Sequence, residues 1–451
     1  MTLARSTFGL ALLLIALGIT QSSLKASGGA ESAPFLYTSA KVYEPLAWMH
    51  GADRFPSGAN IFIYDAGERH ALLADFVASA DPAISFDGQR VLFAGKRKPQ
   101  DTWQIWEVPL SGGDARAITS AKEDCIRPFY LPDDRIVYAR RSDGRFRIEA
   151  SDLNGRDVLP LTYGPASFLA TDILRDGRIL FEAAFPFGSD AAPEIYAVYS
   201  DGSGVESYRC DHGKVHHQGK QISSGDIVFA SARGLSRFTS ARAREVGISS
   251  PPGQYAGDVT ELSSGEWLLP WRASSKSPFQ LVIWHPGSSA IRSIVAAPDR
   301  NAVQPTALGS QIVPNRHPSG LHDWPNANLL CLNAYTSKYS FAAGSIHSVR
   351  FYARDSSGNV KRLGTAPVES DGSFFVHVPT EQALQIELLD ASDKSLKRES
   401  GFFWMRRGEQ RVCVGCHAGP ETAPENAVPM ILIKSATPTD LTGPANASGG
   451  N

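Results

Sequence analysis

The sequence predicts an all-β chain: a six-bladed β-propeller, then a small antiparallel β-sandwich, then a short C-terminal segment with chemistry of its own. Three observations predict it. A turn-then-strand motif recurs six times between residues 34 and 315. Strand patterns continue from 316 to 411 without that period. A Cys-x-x-Cys-His sequence follows at once, inside a segment bounded at 412 and 434.

The repeat comes first. Asp87-Gly88 precedes Val91-Leu92-Phe93, Asp133-Asp134 precedes Ile136-Val137-Tyr138, and Asp176-Gly177 precedes Ile179-Leu180-Phe181. Ser224-Gly225 precedes Ile227-Val228-Phe229, Ser264-Gly265 precedes Trp267-Leu268-Leu269, and Leu308-Gly309 precedes Ile312-Val313. The spacing, roughly 40–48 residues, is the period of a propeller blade. A second element keeps step with it: Ile61 to Tyr64, Trp103 to Trp106, Phe146 to Ile148, Glu194 to Tyr196 and Phe279 to Val282, each a short aromatic strand. A plain sandwich turns every ~8–12 residues but holds no fixed long period. Radial repetition also leaves only short, protected sheet edges.

The wording of the repeat, Pro82, Ser85, Asp87-Gly88, then Ile105-Trp106 and Ser111-Gly112-Gly113, resembles the TolB-type propellers. That resemblance implies a fold and a binding face, and no particular activity. Beyond it, Leu329 to Tyr335, Ile346 to Ala353, Phe374 to Val378 and Leu384 to Leu389 read as sandwich strands, with Asp371-Gly372 as a hairpin signal. Residues 435–451, rich in Pro, Thr, Gly, Ala and Asn, are expected to be a disordered tail.

The N-terminus has a basic start, an apolar run from Phe8 to Ile19, and small residues at Ala26, Ser27 and Ala30. This is the pattern of a secretory signal peptide, expected over residues 1–30, with an uncleaved anchor as the alternative. Export to the periplasm or beyond follows, with no membrane span after cleavage. With 44 basic and 46 acidic residues the chain lacks the basic stripe that a nucleic-acid partner requires. At 42% hydrophobic it can bury a large core.

Five cysteines remain: Cys125, Cys210, Cys331, Cys413 and Cys416. In an oxidising compartment disulfides persist. Cys413-Val414-Gly415-Cys416-His417 has the spacing of a c-type haem attachment motif. Two thiols at that spacing add across the two vinyl groups of one haem, and the adjacent imidazole lies under the iron as axial ligand. A zinc site wants a second cysteine pair, a thioredoxin-like redox pair wants a βαβ context, and a plain disulfide remains open. The motif ends 34 residues before the C-terminus. A bare haem edge would leave its large apolar surface in water. The haem is therefore expected between this segment and surfaces of the sandwich and propeller.

The C-terminal half resembles the hydrazine synthase alpha subunit middle-domain family. The resemblance is carried by Gly364 to Phe374, the Pro379 strand break, Glu387 to Asp390, and Gly408 to His417. It implies haem attachment at Cys413 and Cys416. In that family a tyrosine four residues past the motif histidine serves the iron. Here that position is Glu421, so Glu421 stands beside His417 as a candidate iron ligand. The family works with more haems and with partner subunits, whereas this chain has one motif. Hydrazine synthesis itself is not expected.

Cys210, His212, His216 and His217 pack four soft ligands into eight residues. Cys125 and His216 each lie nine residues before their blade's turn, which predicts that they share one rim. They read either as a buried cysteine and loop histidines, or as a zinc site or second iron ligand. His317 and His322 fall in the linker after the propeller, either lining the haem or fixing the linker. Met405 and Met430 are candidate thioether ligands, Met405 inside an aromatic run. No Ser-His-Asp elbow, phosphate loop or paired carboxylates stand out. The expectation is an exported c-type haem protein for periplasmic electron transfer or haem-based redox chemistry, with a redox partner or associated subunit. The rival is a non-enzymatic propeller scaffold with a structural or sensory haem.

Overall fold

The computed structural model describes residues 33–186, 192–208, 214–240, 243–415 and 427–443. The expected signal peptide lies outside them. The described structure is all-β. Six sheets follow one another from Phe35 to Ala307, and two more lie between Ala327 and Asp440.

Each propeller sheet is built the same way. In the second blade the strands Ala78–Ile84, Arg90–Lys96, Gln104–Pro109 and Arg116–Ala117 pair in order, all antiparallel. The third blade starts at Cys125–Tyr130, the fourth at Ser167–Ile173 and the fifth at His217–Gln221. In the sixth, Gln254–Tyr255 and Thr260–Glu261 share the edge of Trp267–Arg272. The turn residues adopt the left-handed region, as at Gly88 (φ 73°), Asp134 (φ 60°) and Gly225 (φ 93°). Glycine, aspartate and asparagine tolerate that conformation, which is why they mark the repeat.

The first blade closes the ring. Its inner strand, Asn301–Ala307, comes from the far end of the propeller and pairs with Phe35–Ala40 from the start. This corrects one expectation. Ile312-Val313 was expected to be the strand after the sixth turn, but it is irregular and exposed, at 81% and 57%. The ladder slot beside Asn301–Ala307 is already filled by Phe35–Ala40.

The inner strands carry a second regularity. Each is bulged, and the bulge puts Asp81, Arg127, Gln218 and Gln304, together with Asp258, at φ between 53° and 58°. Their side chains meet. Arg127 reaches Gln218 and Asp258, Arg54 grips Asp81 at 2.6 and 2.8 Å, and Gln304 bonds Asp81 and accepts from Thr38 at 2.7 Å. Five of the six blades are thus clasped by buried polar groups. Burial pushes the Asp81 carboxyl up, but the two guanidinium groups outweigh that and hold it below the usual carboxylate range.

The C-terminal domain is two facing sheets. One, Val360–Pro367, Ser348–Arg354, Ala383–Leu389 and Ser395–Arg398, is antiparallel. The other was expected to be antiparallel and is mixed. Gln410–Cys413 and Thr439–Asp440 join its edges in parallel, because both return through long connections rather than hairpins. The Asp371-Gly372 turn likewise joins strands of different sheets and is no hairpin. The expected tail is corrected in part. Residues 435–443 are ordered into the domain by the Thr439–Asp440 strand, and Leu441 is buried in its core.

The two domains meet on the fourth blade. Trp404 leaves the sandwich and is fully buried among Phe168, Phe181 and Tyr196. Phe402 packs on Phe185 at 5.2 Å. The Gly204 amide donates to Glu409 at 3.1 Å, and Arg411 donates to the Val205 carbonyl at 3.2 Å. The linker is held by the Asn315 amide on the Arg175 carbonyl at 2.8 Å and by His317 stacked on Tyr199 at 3.6 Å.

Candidate haem-attachment site

The motif begins inside the sheet. Gln410–Cys413 pairs in parallel with Ala327–Cys331, with Leu329 opposite Arg411 and Cys331 opposite Cys413. The Leu332 amide donates to the Cys413 carbonyl at 2.8 Å. Cys413 is therefore fixed by ladder hydrogen bonds. The chain then turns sharply against residues 333–336. A Cβ on Gly415 would lie 2.2 Å from the Thr336 carbonyl oxygen and 2.9 Å from that of Asn333. The motif's third residue is thus glycine for want of space.

Beside this turn lies a cavity of about 400 Å³. The fourth blade supplies Tyr196 and Gly204 to Ser207. The sandwich supplies Leu329, Cys331, Phe374, Ile386 and Leu388, and the segment 401–403 supplies Phe402 and Phe403. Tyr339 and Phe341 close another side, and Arg411 to Gly415 form the last. The lining is mainly aliphatic and aromatic, with the cations Lys397 and Arg411 and the carboxylates of Glu206 and Glu399. Lys397 lies over the Tyr339 ring at 4.3 Å, and Arg411 is paired with Glu409 at 2.6 Å. The lining fits a haem in two respects: an apolar slot for the macrocycle and a motif thiol at its wall.

Cys416, His417 and Glu421, and likewise Cys210 and His212, lie outside the described residues. Cys125 opens the inner strand of the third blade, fully buried in an apolar cluster, and burial pushes its thiol up to about 12. His216 precedes the inner strand of the fifth blade. Its ring lies edge-on to Phe229 at 4.8 Å and Phe238 at 5.2 Å, with Nε2 3.4 Å from Glu245. His217 turns Nδ1 to Glu182 at 3.3 Å. Cys125 and His216 each sit two residues before a channel residue, Arg127 and Gln218, and those two touch. Among the described residues, no three His, Cys, Asp or Glu side chains gather in a group that could hold a metal ion.

His317 and His322 serve the linker, His322 stacking on Trp324 at 5.1 Å while its amide donates to the Gly408 carbonyl. Met405 is core packing in the sandwich. The Met430 sulfur accepts from Ser370 at 3.2 Å. Sequence reasoning missed Arg411, Lys397 and the channel cluster. The cluster had a signal: Asp81, Arg127, Gln218 and Asp258 each stand seven residues before their blade's turn.

Fold and site define a β-propeller joined to a second domain that carries the cysteine motif. Residues 334–418 match the family described as hydrazine synthase alpha subunit middle domain. Hydrazine synthase subunit alpha of Kuenenia stuttgartiensis is 35% identical over 77 residues, which is 17% of this chain and 10% of that subunit. The solved structure of Kuenenia stuttgartiensis hydrazine synthase superposes with a TM-score of 0.74 at 16% identity, covering 89% of this chain and 72% of that one. The chain thus shares the fold of both its domains with that protein, and the family match falls in the second. TolB from Acinetobacter baumannii aligns over 61% of this chain and 66% of its own, at 15% identity and a TM-score of 0.47. Among the described residues no helix is long and apolar enough to cross a membrane.

Proposed function

We propose that the protein is an exported c-type haem protein, bearing one haem on Cys413 and Cys416, that serves electron transfer or haem-based redox chemistry outside the cytoplasm. The observation that carries this reading is the apolar cavity beside Cys413 and Gly415, walled by both domains. Cys413 and Cys416 would hold the group by thioether bonds, His417 would face the iron, and Lys397 would receive a propionate. A bound haem would supply one-electron chemistry at a potential tuned by its axial ligands and by exclusion of water. The propeller's fourth blade then forms part of the pocket. The similarity to a hydrazine synthase subunit supports an associated subunit or redox partner at the exposed faces.

The test is expression of the full chain, leader included, in a bacterium with haem-attachment machinery. We expect one haem per chain that survives denaturation, a pyridine haemochrome spectrum of thioether-linked haem, and a mature N-terminus near residue 30. An intact mass with no added haem would overturn the reading. His417→Ala should change the iron spectrum. An unchanged spectrum there, with loss in Glu421→Ala, would assign the iron an oxygen ligand instead.

A further inference from the structure

We propose that Cys331 is the disulfide partner of Cys413 in the exported chain before haem is attached, so that this cross-strand bond is a reducible modification site at the cavity wall. Its consequence for attachment rests on the reading of Cys413 given above; the disulfide itself does not.

The geometry is that of adjacent parallel strands in register. Cys331 ends Ala327–Cys331, Cys413 ends Gln410–Cys413, and the two are direct Cα partners. Neighbouring strands lie about 4.8 Å apart, and a disulfide accepts Cα separations of about 4.4–6.8 Å. In-register residues of neighbouring strands send their side chains to the same face. Both cysteines line the one cavity, consistent with that. Cys331 is buried at 2% exposure, while Cys413 is half-buried and can be reached from the cavity. The amide of Leu332 on the Cys413 carbonyl ties the strands just beyond the pair. Both residues are thiols in this structure, so bond formation needs an oxidant.

The chemistry is thiol–disulfide exchange. The Cys413 thiolate attacks a small or protein disulfide RSSR of the oxidising compartment and releases RS⁻, leaving Cys413 joined through its sulfur to SR as a mixed disulfide. The Cys331 thiolate then attacks the Cys413 sulfur and releases the second RS⁻. Two cysteines are oxidised, one RSSR is reduced to two RSH, and the protons pass to the leaving thiolates. Cys125 is a poor competitor. Its thiol is enclosed in the core of the third blade, apart from the cluster that holds Cys331 and Cys413. A dithiol reductant reverses the reaction and restores the Cys413 thiol, which is the form that can add to a vinyl group. Cys331 would thus guard Cys413 from higher oxidation and make its use conditional on reduction.

The full chain is exported from a host lacking haem-attachment machinery, equilibrated with glutathione disulfide, alkylated and digested without reduction. We expect a linked peptide pair joining Cys331 to Cys413 that disappears on treatment with dithiothreitol. The pair should persist in Cys416→Ser, which removes the rival three positions along the sequence, and vanish in Cys331→Ser, with circular dichroism showing that each variant is folded. Recovery of Cys331 and Cys413 both alkylated, or of Cys413 joined to Cys416 with Cys331 alkylated, would overturn the proposal. Because this measurement uses haem-free protein, a failure to load haem in the other host would sink the haem reading and leave this test standing.

Discussion

Trp404→Ala should uncouple the domain that carries the motif from the propeller that walls its cavity. The indole is fully buried between domains, with ring centres 5.6 Å from Phe168, 6.2 Å from Phe181 and 6.2 Å from Tyr163. Removing a buried tryptophan side chain loses its transfer free energy and leaves a cavity, about 3–5 kcal/mol together. The Nε1 donor is buried without a hydrogen-bond partner, and such a group costs about 1–3 kcal/mol. Trp404→Phe sheds that donor and keeps most of the ring, so the two losses nearly offset and the variant should lie within about 1–2 kcal/mol of the parent. Guanidinium unfolding followed by circular dichroism gives both values. Limited proteolysis should show earlier cleavage in the 308–326 linker of the alanine variant only. An alanine variant within about 0.5 kcal/mol of the parent, the ordinary range for surface substitutions, or a phenylalanine variant as damaged as alanine, would refute the docking argument.

Three further outcomes are expected. Arg127→Met should cost about 3–5 kcal/mol in the same assay, because it takes the cation from Asp258 in a buried channel. Stability should fall in acid through Asp81. Its folded pKa is depressed, so its contribution is complete above the unfolded value near ~3.9 and is lost as pH falls toward the folded one. Asp81→Asn should flatten that slope below about pH 4 in urea melts. Gly415→Ala should lower the haem-to-protein ratio severalfold with little change in circular dichroism, since the added Cβ would collide with the Thr336 carbonyl oxygen at 2.2 Å.

The propeller's repeat was legible because its signals are local. A turn residue at positive φ and the apolar strand after it are written within a few positions, as at Asp87-Gly88 and Val91 to Phe93. The cysteine motif was legible for the same reason, its spacing being contained in five consecutive residues. Ile312-Val313 misled because local pattern says nothing of occupancy: the slot it suits belongs to a strand more than 260 residues earlier. The tail misled because Leu441 is one apolar side chain in a polar stretch, and only the groove that receives it makes it core.

The sequence by itself determined the repeat and the spacing of the cysteine motif, since each depends on residue type and short spacing. The tertiary structure alone decided the rest. Ring closure brought Asn301–Ala307 to Phe35–Ala40. Bulges turned Asp81, Arg127, Gln218, Asp258 and Gln304 into one channel. Docking on the fourth blade set Arg411, Lys397 and the aromatic wall around Cys413, and strand register put Cys331 beside it. These are contacts between segments far apart in the chain, set by the geometry of closed sheets and buried interfaces, which spacing along one strand does not encode.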